Sequence, residues 1–265
     1  MDPVQRISLP AATADALEKI VLPTPVPSLE QFTRDPVLPA DYNGPEKELM
    51  ILKLFLHWVP DLQARYRALE IPETVLWDSL KDITIWAEDH FQKHNAPGFV
   101  EWEWVANTFR MKVLRLGRLQ FEPTRLEKTL SWEGRHYSAG TPVLEVHIPA
   151  GEPLDADQVA ASMEMAPAFF RKYFGESYAL MRCHSWLLCP RLKELLPENS
   201  RILQFQNLFT VYEEDGERQG EERVFGFLAE DANLYPEETS LQRTMKHALL
   251  QGTPIGMGRG FLEIR

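Results

Sequence analysis

The run "MRCHSWLLCP", residues 181–190, places Cys183, His184, Ser185 and Cys189 in one apolar stretch. A cysteine beside a histidine suggests an activated thiol, a metal ligand set, or a buried strand that merely contains reactive side chains. Strand geometry decides part of this, because neighbouring side chains on a strand point to opposite faces. Cys183 and His184 then point apart, and Cys183 reads as a small buried apolar residue rather than a nucleophile with its base. Ser185 lies in no G-x-S-x-G elbow, which makes it a poor hydrolase nucleophile.

The same alternation groups the polar side chains. Arg182, His184 and Trp186 share one side of this stretch, and Glu145 and His147 share one side of "PVLEVHIPA". If the two strands are neighbours, with Arg118/Gln120 before them and Gln204/Gln206 after, one sheet face carries a polar cluster. Its two imidazoles, carboxylate and guanidinium suit general acid–base chemistry or a structural hydrogen-bonding network. The opposite side, with Val146, Ile148, Cys183, Leu187, Leu203 and Phe205, reads as packing.

Other spacings carry less. His90 and His94 stand four apart on a helix, a spacing that zinc uses, but HExxH is absent and no metal site is expected. "GTPIGMGRGF" holds Gly256, Gly258 and Gly260 with no helix after it, so a dinucleotide loop is excluded and a flexible closing segment is expected.

The elements that must position these residues change character along the 265 residues. Residues 1–20 suggest a short helix, and six prolines between Pro23 and Pro45 suggest an extended arm, together a segment 1–45. A helical domain is expected over 46–123, with a helix from Glu46 that ends near Pro60, a second carrying Leu76, Leu80, Ile83, Ala87 and Phe91 at three- and four-residue steps, and a third around Glu101–Phe109. The last strand of this domain, about 111–121, is expected to join the sheet of residues 124–265. That sheet is read from "TLSWEGRHYS", "PVLEVHIPA", "YALMRCHSWLL", "RILQFQNLFTVYEE" and "ERVFGFLAE" as strands, with helices at Asp155–Gly175 and Ser240–Gly252. The fold class is α+β, an all-helical first part followed by a mixed β-sheet with flanking helices.

Composition agrees with a globular chain: 44% hydrophobic, 11% aromatic, 25% charged, and a net charge of −11. The acidity argues against nucleic acid or anionic lipid as a partner. No apolar run is long enough for a membrane span, the first residues lack a signal-peptide layout, and two cysteines make no disulfide framework, so a cytoplasmic location is expected.

In combination, "LRLGRLQFEP", "LEVHIPAGEPLD", "CHSWLL" with "LLPENSRILQFQ", and "TSLQRTMKHALLQG" resemble bacterial acyltransferase-domain-containing proteins, which join an N-acyltransferase N-terminal domain to a GNAT-like C-terminal domain. The resemblance covers about residues 46–260. It implies a strand–helix–strand core in which acyl-CoA, a cosubstrate not tightly bound, wedges between two splayed parallel strands while a small-molecule amine attacks the thioester. It implies Ile148, Pro149 and Gly151 as cofactor-binding residues, His147 beside Glu145 as the base, and His184 or Arg182 as stabiliser of the oxyanion or leaving group. Two departures accompany it. The turn "AGEPLDADQ" sets Glu152, Asp155 and Asp157 where a pyrophosphate would dock, and no tyrosine follows the splayed strand in "CPRLKELLP" to protonate the thiolate. A non-catalytic ligand-binding or regulatory protein on the same scaffold is therefore the alternative reading.

Overall fold

The computed structural model describes residues 3–34 and 46–264. The chain forms two compact units, Met1–Phe121 with Ile148–Glu152, and Glu122–His147 with Pro153–Arg265.

Unit 1 contains α1 (Pro3–Arg6), α2 (Ala11–Lys19), α3 (Leu29–Arg34), α4 (Lys47–Ala68), α5 (Glu73–His94), α6 (Trp102–Phe109), β1 (Leu114–Leu116) and the start of β2 (Leu119–Arg125). The proline-rich stretch is not simply extended: α3 lies within it, and Ile20, Leu29 and Phe32 are buried. Side chains of α4 bond carbonyls at the end of α2 and before α3: Lys53 Nζ donates to Leu17 O and Ile20 O, and Trp58 Nε1 donates to Pro27 O at 2.8 Å. Residues 35–45 of the expected arm lie outside the described residues.

Helix α4 continues eight residues beyond its expected end at Pro60. Proline removes the bond to the Leu56 carbonyl, but Pro60 is exposed and Leu56 only half-buried, so water can serve that carbonyl. Packing on the other face holds the helix together, where Phe55 stacks on Phe109 at 4.7 Å and Trp58 and Leu62 are buried. In α5 the expected stripe is buried at Leu76, Leu80, Ile83 and Ala87, and Asn95 ends the helix in the left-handed region.

Unit 2 adds the hairpin β3 (Leu130–Trp132) and β4 (Arg135–Tyr137), then β5 (Pro142–His147), α7 (Ala156–Phe174), β6 (Leu180–Ser185), α8 (Leu192–Leu195), α9 (Arg201–Gln206), β7 (Thr210–Asp215), α10 (Gln219–Phe225), α11 (Ser240–Leu250) and β8 (Met257–Glu263). The main sheet is mixed, in the order β1-β2-β5-β6-β8-β7, with β5 and β6 parallel and β8 antiparallel to both β6 and β7. Helix α7 connects the parallel pair. Asp155 caps its N-terminus by accepting from the Gln158 N–H, and Gly175 closes it at φ 72°, as the sequence signals require.

Five segments differ from the sequence expectation. "MKVLRLGRLQFEP" and "TLSWEGRHYS" are hairpins, because Gly117 and the Glu133–Gly134 pair adopt positive φ and reverse the chain. "RILQFQNLFTVYEE" begins as α9, which Ser200 caps through the Ile202 N–H, and only its second half is β7. "ERVFGFLAE" is not a strand: its first four residues end α10, which is anchored by the buried Glu221 and stopped by Gly226 at φ 83°. "GTPIGMGRGF" is not a flexible end but supplies an inner strand, β8.

The glycines of β8 are explained by close approach. A Cβ on Gly258 would stand 2.3 Å from Leu188 O, and one on Gly260 would stand 2.9 Å from Phe209 Cβ. Gly258→Ala is therefore expected to lower unfolding stability by about 2–4 kcal/mol in denaturant titrations, as an overpacked core position does. Gly216→Ala, with nothing within 4 Å of its added Cβ, should stay within about 0.5 kcal/mol of the parent.

Candidate active site

The parallel ladder between β5 and β6 holds three residue pairs, Val143↔Leu180, Leu144↔Met181 and Glu145↔Arg182, and then stops. Both strands continue. β6 remains paired with β8 as far as Ser185↔Gly258, while β5 runs on to His147. The two parallel strands thus part beyond Glu145 and Arg182, and the fork opens where His147 and His184 follow.

Alternation places Glu145, His147, Arg182 and His184 on half-buried positions, and Leu144, Val146, Met181 and Cys183 on buried ones. The last ladder pair is also an ion pair: Arg182 Nε and Nη2 donate to Glu145 Oε2 at 3.0 and 2.9 Å. The carboxylate beside His147 Nε2, at 3.2 Å, is that of Glu122 on β2, so Glu145 serves Arg182 instead of holding the His147 ring as the sequence had suggested.

His184 Nε2 meets Asp215 Oδ2, at the end of β7, at 2.7 Å. Burial pushes the Asp215 carboxyl upward, but the Glu217 N–H on Oδ1 at 3.0 Å and the His184 imidazole outweigh it and hold Asp215 below the ordinary aspartate range. The pair's contribution is present above the unfolded aspartate pKa and is lost only as pH falls through the lower folded value. An ionised Asp215 assigns the proton to Nε2 and leaves the Nδ1 lone pair of His184 available.

Tyr212 occupies the irregularity of β7 between Val211 and Glu213. Burial is the main influence on its phenol; Arg182 opposes it, Glu145 and Glu213 reinforce it, and the net effect is upward, so the hydroxyl stays protonated at neutral pH.

Other singled-out residues are placed elsewhere. Trp186 lies in the short turn after β6 and packs on a separate cluster with Leu192 and Met245. Gln204 and Gln206 are on α9, not on the sheet, and Gln206 Nε2 bonds Leu187 O and Cys189 O. Ser185 Oγ accepts from the Leu187 N–H. Trp104 donates to Asp82 at 2.7 Å within unit 1. The His90 and His94 rings lie 4.5 Å apart and tilted by 44°, and among the described residues no group of three or more His, Cys, Asp or Glu is placed to hold a metal ion.

Ile148, Pro149 and Gly151 form the turn that belongs to unit 1, with Gly151 at φ 87°. This turn is less acidic in effect than its sequence. Glu152 Oε1 pairs with Arg115 Nη2 at 2.9 Å, its backbone carbonyl accepts from Arg118 Nη2 at 2.6 Å, and Asp155 is the cap of α7. A cleft of about 520 Å³ opens between α7 and the end of β8, lined in part by Met163, Arg171, Met181 and Leu262. Its β6 residue, Met181, points away from the side of Arg182 and His184.

Asp215, Glu122 and Tyr212 are absent from the sequence reading. Their partners depend on the strand order, in which β8, the last strand, inserts between β6 and β7; nothing in the local pattern of "TVYEED" announces that.

Comparison with known proteins gives the same architecture. The profile of the N-acyltransferase N-terminal domain matches residues 8–111, and that of the GNAT-like C-terminal domain matches residues 113–262. An acyltransferase solved in complex with decanoyl-CoA is similar over 100% of this chain and 87% of its own, with a TM-score of 0.81 and 26% identity. An acyltransferase complex with decanoyl-CoA and teicoplanin has a TM-score of 0.80 at 25% identity, with the same coverage. An acyltransferase mutant in complex with octanoyl-CoA is equally similar, with a TM-score of 0.80 and 25% identity. Among curated proteins no sequence matches the chain.

Burial raises the Cys183 thiol well above its ordinary pKa, Glu145 adding to the effect, and burial also raises Cys189 despite two backbone hydrogen bonds. A thiol-exchange reagent at pH 8 should therefore label neither cysteine in the folded protein and both after denaturation. Rapid labelling of one thiol in the native state would contradict this burial.

Proposed function

Because the chain belongs to the family that joins an N-acyltransferase N-terminal domain to a GNAT-like C-terminal domain, we propose that it transfers a medium-chain acyl group from acyl-CoA to the amine of a small molecule. The observation that carries this reading is the forked β5–β6 pair with the His184–Asp215 couple beside it. Solved acyltransferases of the same architecture hold octanoyl- and decanoyl-CoA, and one holds a glycopeptide, teicoplanin, which supports a small-molecule acceptor.

His184 is the base in this proposal, in place of His147. Its Nε2 is fixed by Asp215, so Nδ1 takes the proton from the attacking amine as the C–N bond forms. Arg182 is held by Glu145 through Nε and Nη2, which leaves Nη1 to meet the developing oxyanion. When the C–S bond breaks, His184 returns the proton to the departing CoA thiolate, so the imidazole finishes as it began. The acyl-CoA is a cosubstrate released after each turnover, and a cytoplasmic location follows from its pool.

The non-catalytic reading rested on the acidic turn. The Arg115–Glu152 pair weakens it, because one of those three charges is already balanced within unit 1.

The test is release of free CoA thiol from octanoyl- or decanoyl-CoA in the presence of a panel of small amines, including aminosugars. His184→Ala should lower kcat at least about 100-fold, and Asp215→Asn about 10-fold or more, with little change in KM or in thermal stability. Full turnover by His184→Ala would remove it from the chemistry.

A further inference from the structure

The sheet face that carries His184 holds a second arginine, Arg259 of β8, directly opposite that histidine in the β6–β8 register. Ile264 N–H donates to Ala179 O at 3.0 Å, and these two oppose each other when the register is carried one step beyond Leu180↔Glu263. Opposed residues of an antiparallel pair alternate between hydrogen-bonded and non-hydrogen-bonded, so His184↔Arg259, five steps along, is of the second kind. In such a pair the Cα atoms stand about 4.5 Å apart and the side chains are closest. Arg259 is thus the immediate cross-strand neighbour of the imidazole that Asp215 orients.

The other charged groups beside the fork are clamped. Arg182 gives two donors to Glu145, and Asp215 takes both His184 and the Glu217 N–H. Arg259 has an ion pair with Glu213, its β7 partner, through Nε at 3.5 Å, beyond hydrogen-bonding range, and its charge helps to hold Asp215 ionised. Its guanidinium makes no hydrogen bond among the described residues, and the Glu213 carboxylate is 58% exposed, so water screens the pair. Both Nη groups of Arg259 remain open.

An open guanidinium fork matches the two oxygens of a carboxylate. The whole pantetheine arm separates the CoA phosphates from the thioester, so an acyl-CoA with its carbonyl at the fork brings no phosphate beside His184. The anion therefore belongs to the acceptor. Since His184 and Arg259 are immediate neighbours, amine and carboxylate must be joined by a short spacer, one or two carbons.

We propose that Arg259 is a specificity-determining residue that holds the carboxylate of an α- or β-amino acid acceptor while His184 takes the proton from its amine. The role given to the amine rests on the transferase reading above; the carboxylate contact needs no turnover. Glu213 is the loose counter-ion that the carboxylate displaces.

Titration calorimetry on the full chain tests this with N-decanoylglycine and N-decanoyl-β-alanine, the products of such a transfer, against their neutral amides. The parent should bind the better acid at least about tenfold more tightly than its amide, the scale of one charge-assisted contact. Arg259→Met should bind acid and amide alike, and Glu213→Gln should tighten the acid about threefold without changing the amide. Equal Kd values for acid and amide in the parent, or a preference that survives Arg259→Met, overturn the assignment. The transferase reading still stands if decanoyl-CoA releases CoA with any amine. Where Arg259→Met does not melt cooperatively, an acid Kd unchanged by Glu213→Gln overturns the assignment. A preference that depends on Arg259, with no CoA release from any amine, supports the carboxylate site and overturns the transferase reading. No binding of acid or amide by the parent overturns the assignment.

Discussion

The three-pair parallel ladder between β5 and β6, ended by the Glu145–Arg182 ion pair, is the constraint on which the functional end of unit 2 depends. Parallel strands side by side would bury both histidines in a continuous sheet. Here β6 is drawn along β8, and β5 leaves with His147 beside Glu122 of β2. The ion pair suits the branch point, since a half-buried guanidinium needs a carboxylate where ladder bonds run out. Gly258 and Gly260 of β8 in turn let Leu188, in the turn after β6, and Phe209, just before β7, approach that strand. A sheet core and a reaction cleft are thereby made from the same strands.

Asp215 reaches His184 only if the chain after β7 is fixed. The Glu217 N–H holds Oδ1 of Asp215, and the next residue, Arg218, makes a bidentate pair with Glu221, whose Oε2 also accepts from the Tyr235 hydroxyl. Tyr235 stacks on Phe225 at 4.0 Å, and Arg218 further bonds the Ala229 carbonyl. Every member of this buried network has a partner, the condition under which such a network rigidifies a loop instead of weakening a core. Only the Glu221 end of the pair is buried, Arg218 keeping 38% of its side chain exposed, and three donors from Arg218 and Tyr235 hold that carboxylate and so anchor the loop that carries Asp215.

Legibility in the sequence followed the range of the interaction. Helices α5, α7 and α11 were readable because their apolar spacing and their end signals, Asp155, Gly175 and Gly252, act within a few residues. The opposition of Cys183 and His184 was readable because alternation along a strand is local. Helices α9 and α10 were not, since "RILQFQ" and "ERVF" alternate as a strand would and their helical state rests on Ser200 and on the Arg218–Glu221–Tyr235 network. Strand β8 looked flexible because its glycines report tight packing, and only its neighbours reveal that. The candidate site divides the same way: Glu145, His147, Arg182 and His184 were found from residue type and parity, whereas their partners Glu122 and Asp215 come from strands that are neighbours only in the folded sheet.

The most direct test of this account is a crystal structure of the full chain with a non-cleavable thioether analogue of decanoyl-CoA. The attacking nitrogen must lie within hydrogen-bonding reach of its base and about 3–3.5 Å from the carbonyl carbon, so that carbon should sit at the β5–β6 fork within about 6 Å of His184 Nδ1. A reacting carbon bound away from the fork, with His184 and Asp215 still paired and remote from it, would contradict the account.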